Sequence, residues 1–111
     1  MPNNVKTKIH NMLFADRIKQ LREQKQMPQR QLAAALEIDT ATYCKIERGE
    51  RRSKREQVPI LADLLETDKD QLLNLWLAEQ IYSVVKDEEN AEKVLDIVHE
   101  SVIEYKSGFK K

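Results

Sequence analysis

The sequence predicts an all-α protein, and three observations carry the prediction. Apolar residues recur three and four apart along most of the chain, the spacing that lines one face of a helix. Aromatic residues make up 5%, charged residues 34% and apolar residues 41%, with two glycines and three prolines, a profile of short loops and almost no strand. Residues that start or stop helices punctuate the chain at intervals that suit short helices. At 111 residues there is room for one small domain with an appended segment, and the pattern divides into five helices within residues 1–77 and a helical extension over residues 78–111.

Residues 1–11 mix polar and basic side chains without a sustained period and read as an arm, whose two lysines are placed to touch a polyanion. From Met12 to about Gln26, the residues Leu13, Phe14, Ile18 and Leu21 form the buried stripe of helix 1. Met27 and Pro28 break it, and Pro28 suits the entrance of helix 2, where a missing N–H costs nothing. Leu32, Ala33 and Leu36 form the inner face of helix 2. Glu37-Ile38-Asp39 then makes a short break in which Ile38 plugs the interior and Asp39 accepts from the open N–H groups of helix 3. Helix 3 starts at Thr40, buries Tyr43 and Ile46, turns Thr40, Ala41, Cys44, Lys45 and Arg48 outward, and stops at Gly49.

After Gly49 come Arg51, Arg52, Lys54 and Arg55, four cations within five residues. Ser53-Lys54-Arg55-Glu56 has the form of a capping box, which starts helix 4 at Lys54 and carries it to about Leu65 through Val58, Leu61 and Ala62. Pro59 lies inside that span, so a kink or a distinct first turn is expected. Asp68 and Gln71 repeat the capping pattern and open helix 5. Residues 72–85 hold ten apolar side chains in fourteen, too many for one washed face, so this helix needs cover on two sides. Lys86 to Asn90 is a polar hinge. Helix 6 follows with Ala91, Leu95, Val98, Val102 and Tyr105 in a heptad seam, with Val94 beside it, and the last five residues read as frayed. This seam, with Ile81, Val84 and Val85 of helix 5, suits packing within one chain or pairing with a second; pairing is the expectation.

The chain is neutral overall, yet its charge is unevenly placed. Residues 1–56 carry thirteen Lys and Arg against seven Asp and Glu, and residues 57–111 carry six against twelve, so +6 faces −6. The basic excess sits with helices 2 and 3, where neutralising phosphates would use it. Cys44 is the sole cysteine, which excludes a disulfide framework within the chain, and neither His10 nor His99 has a ligand spacing beside it, so no metal is expected. No cofactor is expected either. The absence of a phosphate-cradling glycine loop, a ligand cluster or a nucleophile and base in reach argues against an enzyme. No apolar run approaches the roughly 18 residues of a membrane span and the N-terminus lacks a secretory apolar region, so the cytoplasm is the expected location.

Two short helices joined by about three residues, the second with a small polar first turn, have the geometry that enters a DNA major groove. Over MPQRQLAAALEIDTATYCKIERG the sequence resembles the helix-turn-helix of the Cro/lambda-repressor-like family, the xenobiotic-response-element regulators. The likeness runs from Phe14 to about Leu77 and rests on Gln29, Leu32-Ala33, Ile38 and Ile46-Glu47-Arg48-Gly49 together. It implies a five-helix lambda-repressor-like domain, with the extension serving dimerisation. It implies that Thr40, Ala41 and Lys45 face base edges, with Asp39 at the helix entrance and Cys44 and Arg48 near the rim, and that Gln29 holds a phosphate. It places backbone-contacting residues just beyond helix 3, which gives the Arg51, Arg52, Lys54 and Arg55 loop the role of a phosphate clamp. It also implies an ion pair between Arg22 and Glu47 that fixes the angle between helices. The chain departs from the family at Glu37, where glycine is common, and at Tyr43, where an aliphatic core residue is usual; a packed tyrosine with its hydroxyl at the rim is expected there.

The resemblance implies a homodimer bound to an inverted repeat in double-stranded DNA, acting as a transcriptional repressor or controller of a neighbouring operon. The rival reading is an antitoxin that neutralises a toxin protein through residues 72–105 and binds DNA only to regulate itself. No membrane partner is expected under either.

Overall fold

In the computed structural model, residues 13–109 are described, and they fold into six α-helices with no strand among them. In chain order these are α1 (Phe14–Gln24), α2 (Gln29–Leu36), α3 (Thr40–Glu47), α4 (Gln57–Leu64), α5 (Lys69–Val85) and α6 (Ala91–Phe109). The basic arm expected over residues 1–11 lies outside the described residues. The chain divides into two compact units, one ending at Glu79 and the other beginning at Gln80, so the division falls inside α5.

The first unit is built on the apolar faces that the helical spacing marks. Phe14 and Ile18 of α1, Leu32 of α2 and Tyr43 of α3 meet Leu61 of α4 and Leu72 of α5 in one core, each at most 1% exposed. Helices of eight residues are too short to hold together alone, so α2, α3 and α4 owe their structure to this burial. Truncating a core leucine such as Leu61 would cost about 2–5 kcal/mol.

Four of the helix stops in this unit use the same device. Gln26, Glu37, Gly49 and Glu66 all take positive φ, between 55° and 76°, and at each the following N–H reaches back to a carbonyl in the last turn. The pattern is the Schellman closure, which satisfies carbonyls that a helix end otherwise leaves open. Only Gly49 adopts this backbone without steric cost. Glu37, at φ 59° and ψ 41°, carries a cost of roughly 1–2 kcal/mol relative to a relaxed backbone.

Three local expectations are corrected. Helix α1 is shorter than the Met12 to Gln26 span, because Gln26 is already left-handed. Ser53 does not cap α4, which starts at Gln57 rather than Lys54. The Ser53 side chain is turned inward at 2% exposure with its hydroxyl unpaired, and the Lys54 N–H donates instead to Gln57 Oε1 at 2.8 Å. Pro59 consequently falls in the first turn of α4, where no intrahelical partner is required of its nitrogen, and no kink is needed. Asp68 does cap α5, accepting from the Gln71 N–H at 2.9 Å. Helix α6 continues through Gly108 to Phe109 instead of fraying at Ser107.

In the second unit, Val85 is buried, whereas Ile81, Tyr82 and Val84 are exposed. Every described large apolar side chain of α6 is exposed too, from 36% at Val94 to 71% at Tyr105. Among the described residues, no helix is long and apolar enough to cross a membrane.

Candidate nucleic-acid interface

Helix α3 is oriented by what it buries and by how its two ends are fixed. Tyr43 and Ile46 enter the core, which forces Thr40, Ala41 and Lys45 into solvent on the other side. At its start, Asp39 Oδ1 accepts from the Thr42 N–H at 2.7 Å, an N-cap that removes one open donor. Hydrogen bonding from the Thr42 side chain, and then from its backbone N–H, helped by the nearby positive charges of Lys45 and Arg51, holds the Asp39 carboxyl below its ordinary range. Asp39, Lys45 and Arg51 therefore share one electrostatic neighbourhood. At the other end, Gly49 at φ 76° lets the Glu50 N–H return to the Lys45 carbonyl at 2.9 Å, which folds the chain back over the last turn.

A buried polar network lies under α3. Arg22 donates from Nε to Glu47 Oε2 at 2.6 Å and from Nη2 to Oε1 at 3.1 Å, a two-pronged contact, while its Nη1 donates to the Met27 carbonyl at 2.8 Å. Gln29 Nε2 adds a third donor to Glu47, at 3.1 Å. The Glu47 side chain is only 2% exposed. Burial acts to raise its carboxyl, but hydrogen bonds from Arg22 and Gln29 and the Arg22 charge outweigh it, so the group stays below the ordinary carboxylate range. Tyr43 packs beside this pair with its hydroxyl buried rather than at the rim as expected, because the whole side chain fills the core, and that burial drives the hydroxyl well above the usual tyrosine range. The network joins α1, α2 and α3 and thus sets the angle at which α3 is presented.

The loop after Gly49 is fixed by one inward residue. Trp76 Nε1, on α5, donates to the Ser53 carbonyl at 3.0 Å in a buried contact. With Ser53 held inside, Arg51, Arg52, Lys54 and Arg55 stand exposed on either side of it. Among the described residues, none of the four has a carboxylate within ion-pair distance, so their charge is available to an outside anion. Glu79, also on α5, accepts from the Ala15 N–H at 3.1 Å and so caps α1 from another helix; burial raises its carboxyl above the ordinary range.

The sequence-assigned residues separate accordingly. Thr40, Ala41 and Lys45 lie on the exposed side of α3, and the four loop cations are exposed in the segment that follows it, with the Arg51 N–H reaching the Lys45 carbonyl. Gln29 is different: its amide donates to Glu47, so in the free chain this side chain also belongs to the buried network. Sequence reasoning missed the Trp76 anchor, the Glu79 cap and a contact between Arg48 and Glu50. The lone tryptophan was a signal for the first; nothing in local spacing pointed to the second. Among the described residues no cluster of His, Cys, Asp or Glu could hold a metal ion.

An exposed, capped short helix followed by a cationic loop, set on a second helix by a three-residue break, is suited to phosphate and base-edge contacts. No curated protein and no solved structure matches the chain. Residues 13–75, more than half of the sequence, match the family described as helix-turn-helix domain, which places this geometry within a known class. The chain belongs to the helix-turn-helix domain family, with the DNA-binding regulatory role that this implies in general.

Proposed function

We propose that the chain is a sequence-specific transcriptional regulator of the Cro/lambda-repressor-like kind, binding an inverted repeat as a homodimer and repressing or tuning a neighbouring operon. The supporting observation is the solvent face of α3, where Thr40, Ala41 and Lys45 stand exposed next to four cations without carboxylate partners. Lys45 donates to guanine O6 and N7, the Thr40 hydroxyl serves as donor or acceptor, and the Thr40 and Ala41 methyls touch thymine. With so few direct readers, DNA shape and backbone contacts carry much of the preference. Arg51, Arg52, Lys54 and Arg55 neutralise phosphates.

The second copy is proposed to pack on α6 through Leu95, Val98, Val102 and Tyr105, with Ile81 and Val84 adjoining. All six are exposed in the single chain, whereas Val85 is buried within it. Two such subunits would place their α3 helices in successive major grooves about 34 Å apart. The same exposed face supports a second reading, an antitoxin whose toxin occupies α6.

Selection of bound sequences from random duplex DNA, with the mass of the resulting complex, tests the proposal. An inverted repeat bound by two chains supports it. Weak, salt-sensitive binding without enrichment counts against it and moves α6 to the centre of the function. On the selected operator, Lys45→Ala should relax preference at one base pair by about 1–3 kcal/mol. Arg51→Ala should weaken all sequences alike and flatten the salt slope by about one. Equal effects of both on every sequence would sink the assignment.

A further inference from the structure

We propose that Arg48, held in place by Glu50, is an additional base-reading residue that recognises a guanine at the edge of each half-site. The inference rests on the DNA-binding reading above and names a specificity determinant within that same surface.

The geometry begins with the helix stop. Because Gly49 is left-handed and the Glu50 N–H returns to the Lys45 carbonyl, the Glu50 side chain lies over the last turn of α3. There its carboxylate accepts from Arg48 Nε at 2.9 Å and from Nη2 at 3.2 Å. Arg48 Nη1 donates to Cys44 Sγ, one turn back, at 3.0 Å. The guanidinium plane is thus fixed at three points. Of its five N–H groups two remain, one on each terminal nitrogen, and a pair of that kind is what guanine O6 and N7 accept.

A phosphate contact would use this arrangement poorly. Phosphate rewards net positive charge, which Glu50 cancels; a base edge rewards direction, which Glu50 supplies. The contrast with the neighbouring loop makes the point, since Arg51, Arg52, Lys54 and Arg55 have no carboxylate within ion-pair distance among the described residues. Nor is the pair needed for folding. Its side chains are 53% and 55% exposed, and an exposed ion pair two residues apart contributes little to stability. Holding a long side chain in one orientation before the DNA arrives removes part of the ordering cost of binding. Glu50 is therefore a positioning residue, acting through Arg48.

The test uses the full chain, the selected operator and operators altered at single base pairs. Arg48→Ala should reduce preference for one guanine per half-site by roughly tenfold to a hundredfold, at a position other than the one that Lys45→Ala affects. Arg48→Lys keeps the charge and removes the planar fork, so it should lose the same preference while holding affinity for non-operator DNA. Glu50→Gln should lower that preference several-fold and at the same time tighten binding to non-operator DNA, because a negative charge has left the surface. The opposite signs of these two readouts separate positioning from simple repulsion of phosphate. If Arg48→Lys retains the preference, or Glu50→Gln tightens every sequence equally, this inference is overturned and the regulator reading stands. A wild-type chain that selects no sequence overturns both.

Discussion

On α3 and its C-terminal cap the side chains left in water are Thr40, Ala41, Lys45 and Arg48, while Tyr43 and Ile46 are buried; on α6 the side chains left in water include Leu95, Ile97, Val98, Val102 and Ile103. The first helix is complete in the single chain. Its polar groups are solvated or capped, and what its surface lacks is only an anion opposite its cations. The second helix leaves an apolar seam along its nineteen residues in water, where it gains nothing and where a partner surface would bury it. Exposure therefore marks two kinds of surface here, one polar and cationic and the other apolar, and on the function proposed above the first meets DNA and the second meets protein. The distinction has a thermodynamic signature. Changes under α3 should alter stability regardless of protein concentration, whereas changes on α6 should act through association.

The largest effect is expected under α3. Glu47→Ala leaves the nearly buried Arg22 guanidinium without its carboxylate, and breaking one partner of such a pair costs about 3–5 kcal/mol. Urea denaturation at two protein concentrations tenfold apart should give the same loss; a loss that grows on dilution would mean the network belongs to the association surface. The carboxyl also predicts an acid dependence. Its folded pKa lies below the unfolded value near 4.5, so its stabilisation is complete above that value and is lost as pH falls through the lowered folded pKa. Glu47→Gln should flatten this acid limb, and an unchanged limb would show that other carboxylates govern it.

On α6 the expected change is in association. Val98→Glu with Val102→Glu places charges on the seam and should raise the dimer dissociation constant at least about a hundredfold, equivalent to about 2.7 kcal/mol. Sedimentation at several loading concentrations reads this directly. A double variant that associates like the parent would remove α6 from the dimer interface and leave its apolar face to another protein.

The two regions also differ in how much of them the sequence discloses. Leu32, Tyr43, Ile46 and Leu61 are legible as core from spacing alone, because helical periodicity is a property of neighbours three and four apart, and the starts of α2 and α3 follow from Pro28 and Asp39. Ser53 misled because a serine three residues before a glutamate reads as a cap, while its actual place is set by Trp76, twenty-three residues away. The Gln29 contact with Glu47 was invisible for the same reason, since its partner is eighteen residues distant and no local pattern announces the bond. The Arg48 and Glu50 contact is local, yet it depends on the chain reversal at Gly49 and so becomes visible only when that turn is built.

The smallest expected effect concerns the two turns that bracket α3. Glu37 precedes it and Gly49 follows it, both left-handed, at φ 59° and 76°. A non-glycine residue in that region costs roughly 1–2 kcal/mol, and glycine gives back roughly 0.5–1 kcal/mol through its freer unfolded chain. Glu37→Gly should therefore stabilise the protein by about 0.5–1 kcal/mol and raise the thermal midpoint by a few degrees. Gly49→Ala is the mirror experiment, since a Cβ there would meet nothing within 4 Å and any loss reports backbone strain alone. Equal and opposite shifts would show that both ends of α3 are governed by the same conformational term. A neutral Glu37→Gly beside a destabilising Gly49→Ala would instead mean that the Glu37 side chain supplies a compensating interaction, and that the entry to α3 is held differently from its exit.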